Sequence, residues 1–308
     1  MKVTTPYILV IGGANIDILG KPHQQLIAED SNPGAISLSF GGVGRNIAEN
    51  LVRIGLNTKL ITAYGKDYYG DLLFNYCQNI GIDMKHTLIT NEYPTSTYLS
   101  VLNCDGNMHI AISDMEITNV ITPRYLEGQT QVLEAADYII VDTNLPQETL
   151  DFLLTRFKKA RFILDTVSTH KALKVKDLLP YFYAMKPNQI EAEMLLGYSL
   201  FDDVTIKKAL KHLYSLGISY PLISFGSQGV AYLSGEELIL HKAKSVQAIN
   251  ANGAGDTFIA AMTYGLCKNY DMKTIVEFAS AAASITLESE ATISPNISLE
   301  EIYKKLEV

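Results

Sequence analysis

At 308 residues, 47% of them hydrophobic and 19% charged, the chain is long enough for one large α/β domain with a small accessory piece. A formal net charge of −8 argues against an unspecific nucleic-acid binder, so an anionic ligand has to be met by local donors. Cys77, Cys104 and Cys267 are odd in number and widely spaced, as reduced thiols of a cytoplasmic protein would be. No secretory signal and no membrane-spanning apolar run is visible.

Residues 7–12 form a continuous apolar, β-branched run ending in Gly12-Gly13, the pattern of a buried parallel strand. Asn15 and Asp17 follow it. Ligands in open α/β sheets sit at the carboxyl ends of strands, so these two side chains either face a ligand or build a turn. No G-x-G-x-x-G opens a helix here, which sets aside a Rossmann dinucleotide site. Residues 20–34 read as polar and irregular, with a turn at Ser31-Asn32-Pro33-Gly34, and residues 35–40 alternate as a half-exposed strand. A second alternating pair, 95–102 and 107–112, is joined by an Asp105-Gly106 hairpin signal. The two insertions predict either a small separate sheet or an edge hairpin of the main one.

Between them, Gly41-Gly42-Val43-Gly44-Arg45-Asn46 opens a helix with Ile47, Leu51 and Ile54 on one face. A strand at 59–63 and a scaffold-like turn, Gly65 to Gly70, come next. From residue 137 the β/α alternation is regular. Strands at 138–141, 162–164 and 182–185 run into Asp142-Thr143-Asn144, Asp165-Thr166 and Lys186-Pro187-Asn188. Asn188 and Glu191 have the spacing of a helix-capping pair. Residues 222–230 read as strand, glycine turn and strand, containing Ser224, Gly226 and Gly229. Asp271 and Ser298 are placed to cap the last two helices.

The stretch with most chemistry is Asn250-Ala251-Asn252-Gly253-Ala254-Gly255-Asp256, leading into a small-residue apolar helix. Its glycines let the N–H groups around 253–256 point together out of the helix start, which makes an anion site. Asp256 is then either a first-turn acid stabilising the dipole or a base beside a bound phosphate. The second arrangement is what phosphoryl transfer to an alcohol requires.

Together, the stretches at 41–46 and 250–256 resemble the two signatures of the PfkB (ribokinase-like) family of carbohydrate and nucleoside kinases, and the likeness runs from Gly12 to about Leu299. It implies an α/β fold, with a mostly parallel central sheet flanked by helices, forming one kinase domain over 1–308. Lid strands inserted at about 17–40 and 94–113 would cover the acceptor and join a homodimer. ATP and Mg²⁺ are the implied phosphoryl donor and metal, and the partner is a small nucleoside or sugar, with neither nucleic acid nor membrane. Asp256 is the implied base, with Gly253, Ala254 and Gly255 as anion hole. Asn15, Asp17, Gly41, Gly42, Asn46 and Asn144 fall at acceptor-binding positions. Asn188, Ser224, Gly226, Gly229 and Asn252 join Gly253 and Gly255 around ATP, and Asn188 with Glu191 matches the N-x-x-E motif that tunes the Mg²⁺ region, largely through water. Arg45 either meets a polar acceptor or lid group, or is a solvated helix residue.

The family usually begins its second signature D-T-x-G-A-G-D, where this chain has Asn250 and Ala251. Asn250 keeps a carbonyl ligand for a monovalent cation but loses the charge, which leaves activation by K⁺ open. Segments 12–17, 30–34 and 42–48 look most like the pseudouridine-phosphorylating branch, implying transfer to the 5′-hydroxyl of that nucleoside. Asn32, with Arg45, is then expected near the uracil-like base. Another nucleoside kinase or a ribokinase/sugar kinase is the alternative within the family. A non-catalytic binding protein of the same fold is the alternative outside it, although Asp256 and both signature glycines are present.

Overall fold

Six short apolar runs become one parallel sheet in the computed structural model, which describes residues 6–242, 246 and 248–307. The ends of the expected 1–308 domain therefore lie outside the described residues. The strand order is Tyr220–Pro221, Phe182–Met185, Phe162–Asp165, Tyr138–Asp142, Ile8–Ile11, Thr58–Ile61. The chain leaves Ile8–Ile11 for one neighbour, Thr58–Ile61, and later returns to the other, Tyr138–Asp142, in parallel register. That reversal makes a crevice at the carboxyl ends of Ile8–Ile11 and Tyr138–Asp142, where open α/β sheets bind ligands.

Alternation along each strand sends side chains to two cores. Ile8 and Val10 pack with Ile47, Leu51, Phe258 and Met262. Leu9 and Ile11 pack on the opposite face with Leu150, Leu154 and Leu210. Helices Val43–Arg53, Ala254–Cys267 and Met272–Leu287 thus share one face of the sheet, while Gln147–Arg156 and Asp203–Ser215 cover the other. Both glycine-rich helix starts lie on the same side. The last two helices begin as expected, with Asp271 accepting from Thr274 N–H at 2.8 Å and Ser298 from Glu301 N–H at 3.2 Å.

The lid is a separate four-stranded sheet in the order Gly34–Gly41, Asn15–Pro22, Thr97–Leu102, Met108–Asp114. Its outer pairs are antiparallel and its central pair is parallel. Asn15 and Asp17 therefore sit on a strand, not in the turn that is the alternative to a ligand-facing position, and the strand runs on to Pro22 into the stretch expected to be irregular. Their strand-forming partners, Gly41 and Ser39 on one side and Tyr98 beside Asp17 on the other, are remote in sequence. The register puts Ile18, Leu38, Leu99 and Ile112 in one row and Ile36, Val101 and Ile110 in the next. Ile36 (78%), Ile110 (56%) and Ile112 (62%) are well exposed there. The Gly65–Gly70 turn is scaffold, as read. Asp67 caps helix Tyr68–Asn79 through Gly70 N–H at 2.8 Å, and it grips Thr95 at the lid's return strand through N–H (2.8 Å) and Oγ1 (2.7 Å). Those three bonds hold the Asp67 carboxyl below the usual range against the opposing effect of burial.

Candidate active site

The two glycine-rich helix starts use their backbone donors differently. In helix Val43–Arg53, Gly44 N–H donates to Asp142 Oδ2 at 2.9 Å and Arg45 N–H to the Gly13 carbonyl at 3.1 Å. This start is welded to the sheet. Gly42 is needed for the approach: at φ 93° a Cβ would lie 2.5 Å from Ala14 Cα. In helix Ala254–Cys267 the first ladder bond is Thr257 N–H to the Gly253 carbonyl at 2.9 Å, so the N–H groups of Ala254, Gly255 and Asp256 precede the ladder. Gly253 turns the chain into that start at φ 78°, with the Thr292 carbonyl 1.9 Å from where a Cβ would stand. Space around Gly255 is open. Of the two, this second start is the one free to bind an anion.

A hydrogen bond joins the two segments: Asn46 Nδ2 donates to Asp256 Oδ2 at 2.7 Å. One turn further on, Thr257 Oγ1 reaches Asn50 Oδ1 at 3.3 Å and Thr286 Oγ1 at 2.8 Å. Asp256 is 8% exposed. Burial first, and then the neighbouring Asp165, push its carboxyl up to about 8, with Asn46 and Arg45 pulling the other way. Asp165 is itself raised to about 6 by burial, opposed by Val167 N–H and Lys186. Two enclosed carboxyls whose charges repel do not ionise together easily, so a proton held near neutral pH is within reach of Asp256.

Asn15, Asp17, Gly41 and Asn144 come to the same crevice. Asn15 Nδ2 donates to Asp17 Oδ1 at 2.5 Å, and Asp17 presses on Gly41, where a Cβ would fall 2.4 Å from Oδ2. Burial raises the Asp17 carboxyl, with Asn15 and Arg45 lowering it. Asn144 Nδ2 lies 2.9 Å from where a Gly13 Cβ would stand, and its Oδ1 accepts from Lys171 Nζ at 2.6 Å. Asp142, absent from the sequence-level candidates, is the keystone of this corner. Its Oδ2 takes Gly13 N–H (2.8 Å) and Gly44 N–H (2.9 Å), and its Oδ1 takes Asn144 N–H (2.9 Å).

Two expectations for the base-facing side do not fit the geometry. Asn32 spends its amide inside its own loop, accepting from Ile27 N–H at 2.8 Å and donating to the carbonyls of Ile27 (2.9 Å) and Asp30 (3.0 Å). Arg45 is not solvated and does not face the base; it meets the lid, as its lid-group reading had it. At 1% exposure its guanidinium is engaged by Phe40, Gly41, Asn46 and Glu49.

At the strand end after Met185, Asn188 and Glu191 form a full capping box. Glu191 Oε2 accepts from Asn188 N–H (2.9 Å) and Thr166 Oγ1 (2.6 Å), which leaves Oε1 for water or a metal. Lys186, overlooked although it opens the Lys-Pro-Asn motif, reaches Ser224 Oγ at 3.1 Å and lies 5.6 Å from the Phe258 ring. Burial lowers its ammonium pKa while Asp165, Glu191 and Asp256 hold the charge in place. Gly226 and Gly229 turn the segment after Ser224, at φ 57° and 109°. Beside them, His241, Lys242, Ser280 and Ser284 line a cavity of about 370 Å³. The buried Ser280 Oγ has no hydrogen-bond partner among the described residues. Asn250 closes the loop before the anion site: Oδ1 takes Asn252 N–H and Nδ2 donates to the Glu290 carbonyl, both at 2.9 Å. Its Oδ1 keeps a second lone pair beside that bond, as an amide oxygen does. Among the described residues, no three His, Cys, Asp or Glu side chains cluster as a metal site, and no helix is long and apolar enough to cross a membrane.

The parallel sheet flanked by helices, with its small second sheet, defines a ribokinase-like fold. A solved chain from Clostridium perfringens superposes with a TM-score of 0.90 at 36% identity, covering 98% of this chain and 96% of that one. The Arabidopsis thaliana ribokinase structure with ribose and ATP superposes at 0.87 with 22% identity, over 99% and 100% of the two chains. Residues 5–299 match the pfkB family of carbohydrate kinases. The pseudouridine kinase of Escherichia coli (strain K12) is 35% identical over 98% of this chain and 96% of its own. The chain belongs to the pfkB family, whose members are ATP-dependent phosphotransferases.

Proposed function

We propose that the chain transfers the γ-phosphoryl group of ATP to the 5′-hydroxyl of pseudouridine. The observation that carries the transfer chemistry is the Asn46–Asp256 contact, which joins an acceptor crevice to a helix start with free N–H groups. Likeness over nearly the full length of a pseudouridine kinase supports the acceptor. Asn15, Asp17, Asn46 and Asn144 hold the acceptor, and Asp256 takes the proton of its hydroxyl. The oxygen bonds to the γ-phosphorus as the bond to the β–γ bridging oxygen breaks, ADP leaves, and Asp256 returns its proton to water. The N–H groups of Ala254, Gly255 and Asp256 face the charge that develops.

Ser224, Gly226, Gly229, Asn188 and Asn252 lie along the ATP side, with the Ser280 cavity for the purine. Glu191 Oε1 and Asn188 suit Mg²⁺, which takes few protein ligands and keeps its waters; when bound it neutralises phosphate charge. Lys186 adds a fixed cation beside Asp256. A monovalent cation would meet the remaining lone pair of Asn250 Oδ1, without the charge of an Asp at that position.

The acceptor assignment is tested by kcat/KM for pseudouridine, uridine, adenosine, ribose and fructose under one ATP·Mg²⁺ concentration. Pseudouridine is expected to lead by at least tenfold, equivalent to ~1.4 kcal/mol of differential transition-state binding. A lead by ribose or fructose would reassign the acceptor while keeping Asp256. A dimer through the exposed apolar row of the lid is part of the same proposal. Sedimentation is expected to show a dimer that Ile112→Lys dissociates, and a wild-type monomer at micromolar concentration would refute it.

A further inference from the structure

We propose that Arg45 is a positioning residue: it fixes the amide of Asn46, and through it the aim of Asp256, to the root of the lid. The idea rests on Asp256 being the base and concerns how that base is held. A guanidinium can only donate and an ionised carboxylate can only accept. Asn46 lies between the Arg45 guanidinium and the Asp256 carboxyl, which must be ionised to act as base. Its Oδ1 faces Arg45 and its Nδ2 faces Asp256 Oδ2 at 2.7 Å. Rotating the amide by half a turn would set oxygen against carboxylate and NH₂ against guanidinium, so Arg45 permits one orientation. Asp256 is then gripped on Oδ2, and its other oxygen is left for the acceptor hydroxyl.

The same guanidinium donates to the carbonyls of Phe40 (2.7 Å) and Gly41 (3.0 Å), the last two residues of lid strand Gly34–Gly41. Phe40 stacks on Tyr76 with centroids 4.1 Å apart, and Gly41 abuts Asp17. Glu49 balances the charge at 2.5 Å and is itself held by Arg53 (2.7 Å) and Tyr76 Oη (2.9 Å). Lid root, acceptor-side carboxylate and catalytic carboxylate therefore belong to one connected set. An interior ion pair of this kind adds little net stability compared with apolar packing, so its residues are better explained by geometry.

The charged groups facing Asp256 are Arg45 from its own contact chain, Asp142 and Asp165 from two strand ends, and Lys186 after a third. Loss of Arg45 removes one of the two cations. The acid limb of the rate profile should then move to higher pH.

Four proteins are compared with ATP·Mg²⁺ and pseudouridine, and with ribose as second acceptor: wild type, Arg45→Met, Arg45→Lys and Asp256→Asn. Arg45→Met is expected to lose kcat by ~10²-fold, the scale of a misplaced reacting group, with KM for ATP little changed and the acid limb raised. Arg45→Lys keeps the charge without the fork. Its acid limb should stay near that of wild type while kcat still falls. If Arg45→Met fails to unfold cooperatively, Arg45→Lys carries the decision, since loss of kcat in that folded variant supports the role. Wild-type kcat and acid limb in the folded Arg45 variants, beside an inactive Asp256→Asn, would overturn the positioning role alone. An active Asp256→Asn would overturn the base assignment and this inference with it.

Discussion

Asp256→Asn is expected to lower kcat by ~10²–10⁴-fold, the usual contribution of a positioned general base, while ATP and acceptor still bind. The substitution keeps an oxygen for Asn46 Nδ2 and changes no volume, so the fold should survive. Stability should even move the other way. The carboxyl is raised in the folded chain to about 8, against an unfolded value of ~3.9. Between these values the folded state holds more protons than the unfolded state, so stability falls as pH rises. The group's contribution is full below ~4 and is lost as pH passes through about 8. The amide that replaces it cannot titrate, so the melting temperature of the variant should gain on wild type from pH 5 to about 8 and level off above that. Unchanged turnover in the variant, or a gap in melting temperature that closes with rising pH, would contradict the assignment.

Asp142→Asn should have the largest effect on stability. The carboxylate is a pure acceptor for three backbone donors, those of Gly13, Gly44 and Asn144, in a site 1% exposed. An amide of the same shape can offer oxygen to one side only, and its NH₂ must then face an N–H. Leaving one buried donor unsatisfied costs about 1–3 kcal/mol. The midpoint in urea should drop accordingly, and because Gly13 and Asn144 shift with it, KM for the acceptor should rise more than KM for ATP. Burial raises this carboxyl, but a proton on it would have no acceptor among its three partners, so the ionised form is the one that fits. A fully stable Asp142→Asn with normal acceptor binding would remove Asp142 from the site.

How far the sequence could be read depended on whether the cause was local. The run at Ile8–Ile11 and the two glycine-rich helix starts carry their structure in adjacent residues, so the buried strand, the crevice and a helix start with N–H groups ahead of its ladder were legible. The lid was legible as alternating strands, but not the place of Asn15 and Asp17 within it, because their neighbours come from residues 39–41 and 97–98. Arg45 and Glu49 have the spacing of a solvated surface pair on a helix. Only the approach of Phe40, Gly41 and Tyr76 makes their environment an interior one. Asp142 looked like an ordinary strand end and Asp165 like either a strand-end cap or a neighbour of the phosphate site, since the donors and charges that define them arrive from other segments. Lys186 was visible as part of Lys-Pro-Asn, and its direction toward Ser224 was not.

The most direct test is to mix the protein with ATP·Mg²⁺ and pseudouridine and follow the phosphorus resonances. One ADP is expected for each new phosphomonoester, coupled to the protons on C5′ of the nucleoside. ADP and inorganic phosphate without a phosphorylated acceptor, for pseudouridine and for every other nucleoside and sugar of the panel, would contradict the account.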